Sequence, residues 1–401
     1  MFRALRHRNY LLFFSGQLIS LIGTWLQQIA ISWLVYKLTN SALLMGVITF
    51  VGLLPSLILS PFAGVYIDRI NKHKMLIIVQ ILFMLEALLL AVLTIFNVIQ
   101  LWHVVVVCSL IGVTAAIDMP LRQAFVVQLV DDEADLGNAI SLNSSMFNLA
   151  RMIGPAIAGI LISTVGEGYC FLINSLSYIA VISTLFCMSI NYTISPKTEK
   201  ENILGELVEG FYYAHKIEPI RKALWYLAIS SFIGMSSQVL MPIFAKEILH
   251  GGAQTLGFLM SSAGIGALFG ALKLASRKDH EGLNREIFLA SITFAIALGC
   301  LSFMHNLLSA LALMFLVGYG MVTIMAASNT IIQTNVEESK RGRVMSLYTV
   351  AFMGTAPLGS LFEGAVAEHI GVPYTFLLNG VIMFVFAMVF NGKTVEKSVS
   401  V

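Results

Sequence analysis

Charge is what this 401-residue chain lacks. Only 11% of its residues are Asp, Glu, Lys or Arg, 58% are hydrophobic, and the mean hydropathy is +0.85. A soluble domain carries about 25% charged residues, so lipid is the main solvent of this chain. The net charge of +2 is too small to point to nucleic acid. Cysteine is scarce as well. Cys108, Cys170, Cys187 and Cys300 are scattered through apolar runs with no CxxC pair or His/Cys cluster. That argues against a metal or redox centre and reads all four as small buried hydrophobes. There is no GxxxxGK(S/T) phosphate loop and no soluble segment large enough to hold one, so nucleotide hydrolysis is not supported. An enzyme would need a convergent nucleophile–base set, and none is visible. His7, His73, His103, His215, His250, His280, His305 and His369 all fall near helix ends or in loops.

What is present is apolar length. Arg3, Arg6 and Arg8 precede an apolar run from Leu11 to Tyr36. A signal peptide has an apolar core of about 7–15 residues, so this longer run reads as a first membrane span. A spanning helix needs roughly 20 apolar residues. Twelve segments qualify: Leu11–Tyr36, Ala42–Ile67, Met75–Asn97, Leu101–Leu129, Leu136–Thr164, Tyr169–Ile190, Lys222–Ile248, Ala253–Ser276, Glu286–Met304, Leu307–Gln333, Gly342–Ile370 and Pro373–Phe390. Lys and Arg crowd one set of loops, including Arg69, Lys72, Lys74, Lys197, Lys200, Lys216, Arg221, Arg277, Lys278, Lys340 and Arg341. The opposite loops hold Lys37 and Lys246. The positive-inside rule then puts both termini in the cytoplasm.

The organisation is two six-span halves, 1–190 and 221–401, joined by a polar linker over 191–220. Within the linker Ile203, Leu204, Leu207, Val208, Phe211 and Tyr212 fall at helical spacing, with Glu201, Glu206 and Glu209 between them. This predicts a short amphipathic helix on the inner surface; a disordered linker is the alternative. The halves repeat. A shift of 211 places Gly23 on Gly234, Gln27 on Gln238 and Gly46 on Gly257. A shift of 205 places Gln128 on Gln333, Glu133 on Glu338, Gly137 on Gly342, Ser141 on Ser346 and Leu142 on Leu347. Parallel repeats of this kind flank a transport pathway.

Several polar residues lie inside the spans. Asp118 and Arg122 form an i,i+4 pair around Pro120 on span 4, and Glu86 lies at a similar depth on span 3. A carboxylate in lipid can hold or release a proton, so Asp118 and Glu86 are the proton-coupling candidates. A permanent salt bridge to Arg122 or Arg151 is the competing role. Span 5 carries Ser141, Ser144, Asn148 and Arg151 on one face, continuing to Gly154, Pro155 and Gly159. A buried arginine there needs a partner or a wet cavity. Gln17, Ser20, Thr24, Gln27 and Gln28 form a stripe on span 1 suited to a cavity wall or to helix–helix hydrogen bonds. The second half offers Gln238, Asn329 and Gln333, with Lys273 and Glu363 towards opposite membrane faces. It reads mainly as an apolar wall.

The loop after span 2, from Gly64 through Asp68, Arg69, Asn71 and Lys72 to Lys74, resembles the loop 2–3 signature of the major facilitator superfamily, GxxxDRxGRKxxL, with Asn71 in place of the second glycine. Gly154-Pro155-Ala-Ile-Ala-Gly159 resembles the antiporter signature GPxxGG, lacking one glycine. Pro120-Leu-Arg122-Gln123-Ala124, Gly137–Leu142 and Arg341-Gly342-Arg343-Val344-Met345-Ser346 are similar to the macrolide-efflux and enterobactin-exporter branch. The resemblance implies an all-α fold of twelve transmembrane helices in two pseudo-symmetric six-helix bundles. It implies rocker-switch alternating access and proton-coupled export of a small amphipathic molecule of the drug or siderophore class. It also implies a latch in which Asp68 docks on the helix beginning near Gly342 and Arg343. The expectation is a monomer in a bacterial inner membrane, driven by a proton gradient with no cofactor. Lysophospholipid flipping, import or uniport are alternatives within the fold. A non-transporting membrane sensor or enzyme is the alternative outside it.

Overall fold

The computed structural model describes residues 3–67, 70–130, 133–188, 203–277 and 282–398. Its helices are α1 (Arg8–Thr39), α2 (Ala42–Ile67), α3 (Lys72–Ile95), α4 (Leu101–Gln128), α5 (Glu133–Thr164), α6 (Glu167–Phe186), α7 (Ile203–Lys216), α8 (Glu218–Gly234), α9 (Ala253–Ala275), α10 (Leu283–Leu301), α11 (Leu307–Asn335), α12 (Arg341–Thr349), α13 (Thr355–Ile370) and α14 (Val372–Ser398). Twelve helical segments among the described residues are long and apolar enough to cross a membrane. α8 with the turns that follow it makes the seventh, α12 with α13 the eleventh, and α7 is the additional helix expected in the linker.

The helices are apolar on both faces, and their exposed stripes reveal the solvent. On α3, Ile78, Leu82, Leu85, Leu89 and Val92 recur every three or four residues and are all exposed, while Leu76, Val79, Gln80, Glu86 and Leu90 are buried. A soluble helix would reverse that pattern; this one suits hydrocarbon outside and selected polar groups inside.

Two spans differ from the continuous helices expected. α8 stops at Gly234, and the chain continues through a tight turn at Ser236–Leu240 and a wide turn at Phe244–Ile248. Pro242 lies between them and has no N–H to donate to the carbonyl four residues back, so the ladder breaks there. The eleventh span widens at Val350–Gly354, just before Pro357, for the same reason.

The chain forms two compact units. The first comprises residues 1–40, 51–199 and 252–257; the second comprises 41–50, 200–251 and 258–401. In the first, α1 packs on α4, α5 and α6, and α3 packs on α4 and α6. In the second, α8 packs on α11, α13 and α14, and α10 packs on α11 and α14. Counted by span, these are the same pairings displaced by six. Close contacts repeat too. A Cβ on Gly112 would lie 2.1 Å from the Gly52 carbonyl oxygen, and one on Gly318 would lie 1.9 Å from that of Ala263. A Cβ on Gly257 would meet Pro155 O at 2.4 Å and Gly159 Cα at 2.9 Å, and one on Gly46 would meet Ser360 O at 2.4 Å and Gly364 Cα at 3.1 Å. Only glycine lets backbones approach this closely in a lipid-facing bundle.

Candidate functional site

The polar groups of the first unit converge between α1, α3 and α4. Arg122 donates to Asp118 Oδ2 at 2.5 Å and to Gln17 Oε1 at 2.6 Å. Gln80 Nε2 donates to Asp118 Oδ1 at 2.9 Å. Asp118 is buried, and Gln17 and Gln80 are fully so. One turn along α4, Thr114 donates to Glu86 Oε1 at 2.7 Å. α3 and α4 are therefore joined by two polar rungs, Gln80–Asp118 and Glu86–Thr114. Their α4 members are four residues apart, about 6 Å along the axis. Pro120 lies two residues beyond Asp118 in α4 and lacks the N–H of a regular turn.

The two carboxylates differ in their partners. Asp118 accepts from a guanidinium and an amide. Glu86 has one hydroxyl donor, no cation within ion-pair distance among the described residues, and a second oxygen, Oε2, that is buried with no partner. Gln17 Nε2, Gln80 Oε1 and Arg122 Nε are also buried without partners. Such an incompletely satisfied network is costly in a static core and useful in one that rearranges.

Arg151 does not join this network. Its guanidinium carbon lies 5.9 Å from the centroid of the Trp25 ring on α1, and it makes no ion pair among the described residues. The rest of the span 5 face bonds its own helix: Ser141 donates to Gly137 O, Ser144 to Ile140 O and Asn148 to Ser144 O. Gly154 packs under Trp25 and Ile22 of α1, and Gly159 against Ala253–Gly257. The span 1 stripe divides. Gln17 serves Arg122 and Ser20 is buried; Gln27 accepts from Asn174 Nδ2 of α6 at 2.8 Å, a helix–helix contact; Thr24 and Gln28 are exposed. In the second unit Gln238 is half-buried, and Asn329 accepts from Gln333 one turn on.

At the loop signature, Asp68 and Arg69 lie outside the described residues, as does Glu201 of the linker. Asn71 is the N-cap of α3, its side chain accepting from Lys74 N at 3.0 Å. Gly64 is in the last turn of α2, Lys72 opens α3, and Lys74 is exposed. At the second-half counterpart, Gly342 has open space around its α-carbon, and Arg343 pairs with Glu209 of α7 at 2.8 Å. Lys340 pairs with the same carboxylate. These contacts dock α7 on the start of α12.

Three features differ from the reading of the sequence. Cys187 is exposed, not buried, because it caps the end of α6, and Cys300 is only half-buried. The second half holds a fully buried carboxylate, Glu363, bonded to Asn379, so it is not simply an apolar wall. Gln80, Thr114, Asn174 and Asn379 carry no signal in the sequence alone. Gln80 lies six residues from both Lys74 and Glu86 on its own helix, and only the partner helix gives it meaning.

Comparison with known proteins agrees with this architecture. The family model described as transmembrane secretion effector matches residues 1–399. The staphyloferrin A transporter of Staphylococcus aureus is 28% identical over 381 residues, covering 94% of each chain. The multidrug efflux pump Tap of Mycolicibacterium fortuitum is 25% identical, covering 92% of this chain and 91% of its own. Macrolide efflux protein A of Streptococcus pyogenes is 23% identical, covering 94% and 93%. Among solved structures, the nucleoside transporter NupG aligns with a TM-score of 0.71 at 12% identity, covering 97% of this chain and 98% of that one. A POT family transporter in complex with a thioalcohol conjugated peptide aligns with a TM-score of 0.77 at 12% identity, covering 97% and 96%. The chain belongs to the transmembrane secretion effector family of major facilitator superfamily transporters, a multi-pass membrane protein and not an enzyme.

Proposed function

We propose that this protein exports a small amphipathic molecule of the drug or siderophore class, by rocker-switch alternating access, in exchange for protons. The observation that carries the reading is the pair of polar rungs between α3 and α4. One carboxylate, Asp118, is held by a cation and an amide; the other, Glu86, has a bare buried oxygen. A proton arriving at Glu86 finds an acceptor with no competing cation. A proton arriving at Asp118 would release Arg122, whose second bond reaches α1 through Gln17. Each state of protonation thus favours a different arrangement of α1, α3 and α4, and a ligand that binds one arrangement better shifts the population towards it. The relatives named for staphyloferrin A, macrolide and multidrug transport support the substrate class.

The reading places the chain as a monomer in a bacterial inner membrane with both termini cytoplasmic, since that side carries most Lys and Arg. Its driving force is the proton gradient, with no resident cofactor. The test is uptake into inverted proteoliposomes with an imposed pH gradient, using a macrolide, a carboxylate siderophore and a lysolipid as probes. Proton-driven transport of at least one of the first two is expected, together with its loss in Glu86→Gln and Asp118→Asn. Full activity in both variants, or no substrate-dependent proton flux with any probe, removes the proposal.

A further inference from the structure

Glu363 of α13 is fully buried. Asn379 Nδ2 of α14 donates to its Oε1 at 2.8 Å. Its other oxygen, Oε2, is buried with no partner, and so is Asn379 Oδ1. Both orphans are acceptors, two ends of the same carboxyl–amide pair. Two acceptors cannot satisfy one another, but a hydrogen carried by the carboxyl group would give it a donor to offer the amide oxygen.

No neighbouring group supplies that hydrogen from its own stock. The hydroxyls close by are committed to backbone carbonyls: Ser360 and Ser236 to Ala356 O, Ser237 to Gly234 O, and Thr375 to Gly371 O. Nor does a cation balance an ionised carboxylate. Glu363 makes no ion pair among the described residues. On α8, Glu218 pairs with Lys222, Arg221 donates to His215 O and Tyr226 OH to Ala387 O, all away from the α13 contact at Phe232 and Ser236. The turns Ser236–Leu240 and Val350–Gly354, and the α2 start at 41–50, carry no ionisable side chain. On α14, Tyr374 is exposed, and Lys393, Glu396 and Lys397 lie at its far end. On α13 itself, His369 is exposed and Glu368 is a second anion, accepting from Ser41 Oγ and Leu43 N at 3.0 Å each. An anion five residues away supplies no counter-charge.

We propose that Glu363 is a proton-binding site of the second unit, in which a carboxylic acid and the Asn379 amide form a closed two-hydrogen-bond pair. Oε1 accepts from Nδ2, and the bound proton on Oε2 is donated to Oδ1. No covalent bond other than O–H forms or breaks. Release leaves a buried anion that only water can solvate. Gly364, the next residue, packs on Ala42 O and Gly46, where an added Cβ would lie 2.6 Å and 3.0 Å away. Water entering on that side would have to part α13 from the start of α2. The site is separate from Asp118 and Glu86 and does not depend on their role in export.

The test reads the proton directly. Infrared difference spectra of the full-length protein in lipid, with carbon-13 glutamate, are recorded across a pH titration. The expected result is a protonated-carboxyl band that is absent in Glu363→Gln, shifted in Asn379→Ala, and lost reversibly on alkalinisation. Glu363→Gln keeps a donor towards Asn379 Oδ1 and should fold with a Tm near that of the parent. If it does not fold, the labelled parent and Asn379→Ala still decide. A spectrum unchanged by Glu363→Gln would mean that Glu363 is ionised. A band that persists at every pH would make it a static hydrogen bond. Band loss that depends on sodium at constant pH would make it a metal-cation site. Each of these three overturns the proposal, and none bears on substrate export.

Discussion

Removing the Arg122 guanidinium should destabilise the first unit more than any other single charge change. The side chains of Asp118 and Arg122 are only 12% and 19% exposed. Breaking a buried pair from one side costs about 3–5 kcal/mol, because the remaining charge is left without a partner. Gln17 loses its donor at the same time, and an orphaned buried acceptor costs about 1–3 kcal/mol. Relaxation makes these terms less than additive, so Arg122→Ala should cost roughly 4–6 kcal/mol. For a unit of this size 1 kcal/mol moves Tm by about 2–4 °C, so a fall on the order of 10–20 °C is expected in detergent or nanodiscs. The double variant Asp118→Asn/Arg122→Gln carries no charge and can keep the amide contacts to Gln80 and Gln17. It should recover to within about 1–2 kcal/mol of the parent. An Arg122→Ala protein that melts with the parent, or a double variant no more stable than the single one, would refute the electrostatic reasoning.

Three further outcomes follow from local geometry. Glu209 is held below the usual carboxylate range, first by the hydrogen bond from Lys340, with desolvation opposing it and the charges of Arg343 and Lys340 adding to it. A depressed folded value means the contact stabilises the docking of α7 above the unfolded value of about 4.3 and is lost as pH falls through the folded one; amide protection over 203–216, taken relative to intrinsic exchange at each pH, should be high at neutral pH and low in acid or in Glu209→Gln, and equal protection throughout would contradict this. Gly266→Ala places a Cβ 1.8 Å from the Phe315 carbonyl oxygen, where only backbone can yield, so about 1–3 kcal/mol should be lost in thermal unfolding, while Gly252→Ala, with nothing within 4 Å, should be close to neutral. Asn71→Ala should cost about 1 kcal/mol through loss of the α3 N-cap, whereas Asn71→Gly should cost a few tenths; a larger loss with glycine would mean that the side chain has another role.

The span count and the repeat were legible because both are written in one dimension. Twenty apolar residues cross a bilayer whatever their neighbours are, and span boundaries differ from α2 (Ala42–Ile67) and α9 (Ala253–Ala275) by a residue or less. The amphipathic helix was readable from its 3.6-residue period. The Asp118–Arg122 pair was readable from its i,i+4 spacing. Three things were not. Period says nothing about which polar residue on α1 faces which helix, so Gln17 and Gln27 look alike in sequence yet reach Arg122 and Asn174 respectively. Glu363 reads as a residue near a membrane face because depth along a helix is linear, whereas burial depends on rotation against α14. The glycine seams read as isolated small residues because each needs two distant segments, Gly46 with Gly364 and Gly159 with Gly257.

The sequence by itself determined the solvent, the number of spans and the twofold repeat, since hydropathy and length act residue by residue along the chain. The tertiary structure alone decided which polar groups meet. It joined Asp118 and Arg122 to Gln80 and Gln17, gave Glu86 a single hydroxyl, and set Glu363 against Asn379 with one acceptor on each left without a partner. The physical reason is that a charge in lipid is tolerated only through its partners, and partners on other helices are fixed by packing rather than by neighbours in the chain.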